Sequence, residues 1–284
     1  MSLFRQLSFW IASWVAACGV AQETSQVFVT VADHEHFPML IYTINSLQHW
    51  QKQSINEIAV YDLGLTVPER KVLDSLPRTR VYDIERVSEW LFQPFRTRPY
   101  RNGKPVKGWY AWKPVVLKQA LDRWEEFLYI DAGITVGRSL DPVFAYMKRH
   151  GHFFITGGSG NRNYCTRACI EHFGLETPER RWVLESGQID AAIQGITRSV
   201  RDVYVLPLYE LVGDIRLFED DGSCPNGFGF SRHDQTLTTI LLRLSNLPTE
   251  PWGGVVVDLE DHRRSFVPAD LFLKKPSWWY EYYE

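Results

Sequence analysis

Cysteine is scarce in this chain. There are four in 284 residues, and beyond residue 18 only Cys165, Cys169 and Cys224 remain. Those three can supply at most one disulfide and one free thiol in an oxidising compartment. Cys165, Cys169 and His172 are spaced like metal ligands on a helix. A structural zinc takes four ligands at paired spacings, and no fourth is evident, so zinc is not expected. An excess of one charge is also missing. The formal net charge is −3 and no basic run occurs, which leaves no case for nucleic acid as a partner. No internal repeat and no linker rich in proline or glycine divides the chain, so one large domain is the simpler reading.

Long apolar runs are lacking as well, with one near exception. Residues 7–21 are mostly apolar, and Arg5 is the only charge before Glu23. The run ends in small residues, and its length suits the core of a signal peptide but is short for a membrane span. Residues 1–22 are therefore expected to be a signal peptide or an amino-terminal membrane anchor. Val15-Ala16-Ala17-Cys18 also resembles a bacterial lipoprotein signal, with Cys18 as the lipidated residue. All three readings carry residues 23–284 into the secretory pathway or across a membrane, with membrane association through the amino terminus.

The chain does have apolar residues at 45%, charge at 23% and a large aromatic share of 14% that includes 11 tryptophans. The first two values are those of an ordinary globular protein. So much flat surface suits a sugar or base site, with core packing as the alternative use. Strands and helices alternate along the first half. Strands are expected at 27–31, 57–61, 80–83 and 127–131, and helices at 37–50, 67–76 and 109–124. This alternation predicts an α/β fold: a mostly parallel central sheet flanked by helices, with right-handed crossovers. The second half is less regular. A strand at 153–156 should run into a flexible loop at 157–161. A helix at 178–184, a strand at 188–193, a helix at 233–244 and a last strand at 255–259 follow.

Several residues in this pattern can carry chemistry. Phe127-Leu128-Tyr129-Ile130 is too apolar for a half-exposed strand, and it ends on Asp131-Ala132-Gly133. Asp33 and Asp62 also end strands. In open parallel sheets such ends meet at one crevice, where ligands bind. Asp33 and Asp62 could hold a ribose or a base edge there, or simply cap the next helix. Lys113, flanked by Trp112, stands at the start of a long helix, where a cation and a helix amino terminus together suit an anion such as a diphosphate. Asp131 could ligate a divalent metal, Mn or Mg, with His262 as a second ligand. Asp234 and Gln235 open a late helix as caps or as cleft residues. Gly187 and Gln188 approach a strand where a missing side chain would admit a ligand.

Taken together, Phe28-Val29-Thr30, Asn45-Ser46-Leu47, Val60-Tyr61-Asp62-Leu63-Gly64-Leu65, Tyr110-Ala111-Trp112-Lys113-Pro114, Tyr129-Ile130-Asp131-Ala132-Gly133 and Arg232-His233-Asp234-Gln235 resemble one family. They look like the glycosyltransferase-like proteins of the GT-A, nucleotide-diphospho-sugar transferase fold. The resemblance spans roughly residues 27–265. It implies a hexosyltransferase-like enzyme with a nucleotide-sugar donor, a glycan or glycoconjugate acceptor and a divalent metal. By position, Asp131 matches the first acid of the family's Asp-x-Asp metal motif, and Gly133 stands where the second acid would be. The resemblance places Asp62 near the base, Lys113 near the diphosphate and the Asp234-Gln235 pair beside the sugar. An inverting route would need a base such as Asp234 or Asp190, and a retaining route, toward which the family analogy leans, would not. A non-catalytic carbohydrate-binding relative on the same fold is the alternative.

Overall fold

The computed structural model describes residues 25–95, 105–251 and 259–261. The expected leader, residues 1–22, and His262 lie outside them. The first half folds as strand and helix in alternation: β1 (Gln26–Ala32), α1 (Phe37–Gln51), β2 (Ile55–Asp62), α2 (Val67–Ser75) and β3 (Thr79–Asp83). A short antiparallel pair follows, β4 (Pro94–Phe95) with β5 (Val106–Lys107), and then α3 (Trp112–Arg123), β6 (Glu126–Ile130) and β7 (Ile134–Val136). The rest comprises α4 (Asp141–His150), β8 (Ile155–Gly160), α5 (Arg167–Phe173), α6 (Trp182–Glu185), β9 (Gly187–Ile189), β10 (Ile193–Thr197), α7 (Leu206–Glu210), α8 (Asp234–Leu244), β11 (Glu250–Pro251) and β12 (Leu259–Asp261).

The main sheet has the order β10-β6-β1-β2-β3, with four parallel strands and β10 antiparallel at the edge. Both of its faces are covered, which explains the continuous apolar strands. Along β1 and β6, Val27, Val29, Val31, Phe127 and Tyr129 face a core shared with Val115, Leu117 and Ala120 of α3 and Leu237 and Ile240 of α8. Phe28, Ala32, Leu128 and Ile130 face the opposite core, shared with Leu40 and Ile44 of α1 and Val143 and Met147 of α4. The residues from Phe127 to Ile130 have no exposed surface. Each such side chain contributes about 1.5–3 kcal/mol by leaving water, so this strand is a fixed support for whatever follows it. Among the described residues no helix is long and apolar enough to cross a membrane.

The expected elements of the first half are present, and the differences have local causes. The long helix begins at Trp112 rather than 109, because Gly108, Trp109 and Tyr110 all have positive φ (53°, 47° and 65°). That is a left-handed entry turn, and a Cβ on Gly108 would collide with the Leu91 carbonyl. Pro114 sits in the first turn, where its missing N–H costs no helical bond. The glycine run at 157–160, expected as a loop, is the outer half of β8, and it pairs with β9 through Gly160 and Gly187. The strand expected at 188–193 is two strands, β9 and β10. Asp190 Oδ1 accepts the Ala192 N–H at 2.8 Å and turns the chain between them. The helix expected at 178–184 is regular only from Trp182. Residues 252–258, most of the expected last strand, lie outside the described residues. Cys165, Cys169 and Cys224 are buried free thiols rather than a disulfide and a thiol.

Candidate active site

The carboxyl ends of the four parallel strands place their acids along one edge of the sheet. In spatial order these are Asp131 after β6, Asp33 after β1, Asp62 at the end of β2 and Asp83 at the end of β3. The turn from Asp190 to Ala192 joins the same edge, because Ile193 pairs with Ile130 and Asp131 N–H donates to the Ala192 carbonyl at 2.8 Å.

Helices α3 and α8 cover the face of the sheet that carries Tyr129. They bring Lys113, the second residue of α3, against Asp234, the first residue of α8. Lys113 Nζ lies 3.1 Å from Asp131 Oδ1 and 2.9 Å from Asp234 Oδ2, and it donates to the Ala191 carbonyl at 3.2 Å. It also sits 5.1 Å above the centre of the Tyr129 ring, a cation–π contact. The Tyr129 hydroxyl donates to Asp131 Oδ1 at 2.6 Å. Lys113 is 4% exposed and Asp234 7%, whereas the Asp131 side chain is 37% exposed. Burial alone would lower the Lys113 pKa, but Asp131 and Asp234 outweigh it and hold the ammonium well above its ordinary value. Burial pushes the Asp234 carboxyl up, and the ammonium opposes that. Burial also raises Asp190, with Asp131 adding to the rise and the Ala192 N–H opposing it.

Strained backbone flanks both partners of this pair. Trp109 and Tyr110 precede Lys113 in left-handed conformations, and His233 precedes Asp234 at φ 49°. Such residues cost about 1–3 kcal/mol each, and they persist where the surroundings fix them. Here they brace one another. The Trp109 ring stacks on Phe95 at 5.4 Å and on His233 at 4.9 Å, and His233 Nδ1–H donates to the Phe218 carbonyl at 2.7 Å.

Solved structures share this architecture. The mannosyltransferase Ktr4p from S. cerevisiae, solved in complex with GDP, aligns with a TM-score of 0.50 at 9% identity, over 78% of this chain and 66% of its own. The chain has the GT-A glycosyltransferase fold. Mouse xyloside xylosyltransferase 1 aligns over 80% of this chain and 84% of its own, at 12% identity and a TM-score of 0.48. The bifunctional glycosyltransferase WbbM aligns over 77% of this chain but only 37% of its own, at 10% identity and a TM-score of 0.46. No family model matches the sequence, and neither does any curated protein.

Within this GT-A framework the residues expected from sequence divide into two groups. Asp131, Lys113, Asp190, Asp234 and Gln235 come together around the β6 edge. Asp33 and Asp62 lie further along the crest, and protein groups hold them. Asp33 takes the His36 ring at 2.6 Å and Lys107 Nζ at 3.0 Å. Burial would raise its carboxyl, but the His36 hydrogen bond and charge, with Lys107, hold it well below the usual carboxylate range. Asp62 accepts the N–H groups of Gly64 and Leu65 at 2.7 and 2.6 Å and Arg70 at 2.6 Å, and Arg70 continues to Asp83 at 2.8 Å.

Four expectations change in the structure. Lys113 is not an open anion seat at a helix start, because two carboxylates more than neutralise its charge. Gly187 admits the neighbouring strand rather than a ligand, since a Cβ there would lie 2.9 Å from the Gly157 carbonyl oxygen. Gln188 is 2% exposed and bonded to Asn161, Thr236 and Gln235, so it is a support for the site rather than a surface of it. Trp112, 7% exposed, is part of the core. Sequence reasoning passed over Asp83, Lys107 and Arg70, although Asp83 ended an expected strand just as Asp33 and Asp62 did. Lys107 and Arg70 carried no local signal, because only the fold brings them to the crest.

Proposed function

We propose that this chain is a glycosyltransferase that moves a sugar from a nucleotide-diphosphate donor to a carbohydrate or glycoconjugate acceptor. The observation that carries the reading is the Asp131–Lys113–Asp234 cluster at the carboxyl edge of a GT-A sheet, with Lys113 and Asp234 buried and Asp131 at the surface. Burying an ammonium between two carboxylates is expensive for stability alone, since an apolar trio of similar volume is often as good or better. Perturbed, desolvated charges in a crevice mark a functional site. The cluster has two carboxylates against one ammonium, so its surplus is negative. That suits sugar hydroxyls, which donate to carboxylates, and the positive charge that develops at the anomeric carbon during transfer. The ammonium holds the two carboxylates in place as fixed acceptors. For an inverting route Asp190 is the better base. Burial raises its pKa, which favours proton uptake, whereas Asp234 is committed to Lys113.

Core-mannan synthase A (Ktr4) from Aspergillus fumigatus has been solved in an Mn/GDP form. The described residues of this chain do not by themselves build a seat of three or more side chains for a divalent ion. No three carboxylate, histidine or cysteine side chains among them converge so as to hold one. Gly133 brings no carboxylate, and Asp131 Oδ1 and Asp234 Oδ2 both already face Lys113 Nζ. The test is a thermal-shift screen of nucleotide diphosphates and their sugars, with and without manganese, followed by hydrolysis and transfer assays on any donor that stabilises the protein. Stabilisation together with sugar release is the expected result. No binding and no turnover across all donors in both conditions would overturn the proposal.

Gly133 gives the second reading, a non-catalytic carbohydrate-binding relative, its own support. Asp131→Asn separates the two. Loss of nucleotide binding favours the transferase, and unchanged nucleotide and glycan binding favours the relative. The amino-terminal 22 residues complete the proposal as a leader that places the domain across or on a membrane. Mass spectrometry of the mature terminus distinguishes cleavage, anchoring and lipidation at Cys18.

A further inference from the structure

We infer that Gln194 and Tyr204 are positioning residues that lock the turn from Asp190 to Ala192 onto Lys113, so that a carbonyl of the turn completes the set of acceptors around the ammonium. The reaction that this serves rests on the transferase reading. The lock itself rests on hydrogen bonds between buried groups.

An ammonium has three protons to donate and no lone pair. Three acceptors surround Lys113 Nζ: Asp131 Oδ1 at 3.1 Å, Asp234 Oδ2 at 2.9 Å and the Ala191 carbonyl oxygen at 3.2 Å. The first two are side chains, one at the β6 edge and one on α8. The third is backbone, and its place depends on how the turn is held. Asp190 Oδ1 takes the Ala192 N–H at 2.8 Å, and Gln194 Nε2 donates to the Ala191 carbonyl at 3.0 Å. A carbonyl oxygen has two lone pairs, so Gln194 and Lys113 between them use both.

The direction of the Gln194 amide is fixed at both ends. The Ala191 carbonyl can only accept, so the amide nitrogen faces it. The amide oxygen faces the other way and accepts the Tyr204 hydroxyl at 2.6 Å. A reversed amide would set its oxygen against the Ala191 oxygen with no proton between them. The Tyr204 proton is thereby used, and Thr238 Oγ1, 3.0 Å away, donates the proton of the remaining bond. Gln194 and Tyr204 are 0% exposed and Thr238 is 1% exposed, so water does not stand in for any member. Thr238 lies one turn after Asp234. The chain of bonds thus leaves the cluster at Ala191 and returns to the helix that carries Asp234.

The backbone that carries Tyr204 is unusual as well. Residues Arg201–Val205 form a π turn, with the Leu206 N–H bonded to the Arg201 carbonyl. Such turns are rare and are frequent at functional sites. This one leaves Asp202 and Val203 outside and sends Tyr204 and Val205 into the core. Apolar side chains in place of Gln194 and Tyr204 would fill the same space with no polar group to satisfy, and such paired replacements are often neutral for stability. Two polar side chains in a dry core are explained by the turn they hold. Asp190, the first residue of that turn, feels the charges of Asp131 and Lys113. With the turn locked on Lys113, Asp190 and the Asp131–Lys113–Asp234 cluster keep one spacing, which a base and the bound groups it serves require.

The test uses Gln194→Met, which removes the amide at similar volume, and Tyr204→Phe, which removes only the hydroxyl. The first readout, on the full chain, is the NMR signal of the Lys113 ammonium, assigned by its loss in Lys113→Arg. A buried ammonium with all three protons bonded exchanges with water slowly, unlike that of a surface lysine. Exchange should quicken about tenfold in Gln194→Met, the effect of one lost hydrogen bond, and about threefold in Tyr204→Phe, which acts one step away. The double variant should match Gln194→Met alone, because Tyr204 acts through Gln194. The second readout is donor hydrolysis or transfer. There kcat should fall by about the same factors while the donor KM changes by less than about twofold. Unchanged exchange in both folded variants overturns the lock whether or not the protein is an enzyme, and Tyr204→Phe decides alone should Gln194→Met fail to fold. Faster exchange with unchanged kcat in an active enzyme overturns the positioning role. A wild type with the slow signal that turns over no nucleotide sugar refutes the transferase reading and leaves the lock standing.

Discussion

Replacing Lys113 with methionine tests the centre of the site with little change in volume. Methionine keeps an unbranched apolar stem against Trp112 and Tyr129 and removes only the charge. The change leaves Asp234, 7% exposed, facing Asp131 with no cation between them. Removing one partner of a buried charge pair costs about 3–5 kcal/mol, because the other is left uncompensated. Asp131, 37% exposed, can draw in water, which places the expected loss toward the lower end. A loss of that size lowers Tm by roughly 6–20 °C for a chain of this length. The pH dependence has a definite sign. The Lys113 pKa is raised on folding, so its contribution is constant below the ordinary lysine range and fades only above it. In Lys113→Met the Asp234 carboxyl, already pushed up by burial, loses the ammonium that opposed the shift. The variant should therefore recover part of its deficit as pH falls from 8 to 5 and Asp234 takes up a proton. Thermal unfolding of the wild type, Lys113→Met, Asp234→Asn and the double variant across that range checks the argument. The double variant should be less destabilised than the sum of the singles, by about 2 kcal/mol. Strict additivity, or a deficit in Lys113→Met that does not change with pH, would refute the pairing.

Three further outcomes follow from the geometry. Asp33 is depressed below the usual carboxylate range, so its stabilising effect is present above about pH 4 and is lost as pH falls further. Asp33→Asn should cost about 2 kcal/mol at pH 7 and flatten the acid limb of a stability–pH curve measured by urea unfolding. Gly187→Ala drives a methyl group into the Gly157 carbonyl and Thr156, and it should cost about 1–3 kcal/mol in the same assay. Burial raises Asp190, so if it is the base, the acid limb of the kcat/KM profile should lie above the ordinary carboxylate range. Asp190→Asn should abolish that limb.

The sequence carried the sheet and its edge. Continuous apolar strands at 27–31 and 127–130, each closed by an acid, require a sheet covered on both faces, and parallel connections put those acids on one side. The Trp112-Lys113-Pro114 and Asp234-Gln235 pieces were visible as helix starts near that side. What the sequence could not express was the use of each group, because that depends on partners 18 to 124 positions away: Asp131 and Asp234 for Lys113, and His233 stacked against Trp109. Local reasoning makes Lys113 an open cation at a helix start. Tertiary packing makes it the buried counter-ion of two acids, because α3 and α8 cover the same sheet face and leave the ammonium no route to water. Local reasoning likewise makes Gly187 and Gln188 a ligand-facing pair. The return of β8 beside β9 turns the glycine into a strand contact and the glutamine into a link between Thr236 and Gln235. Hydrophobic periodicity is a property of neighbouring residues, so the chain states it directly. Charge compensation and hydrogen-bond direction belong to groups brought together from afar, and only the folded structure decides them.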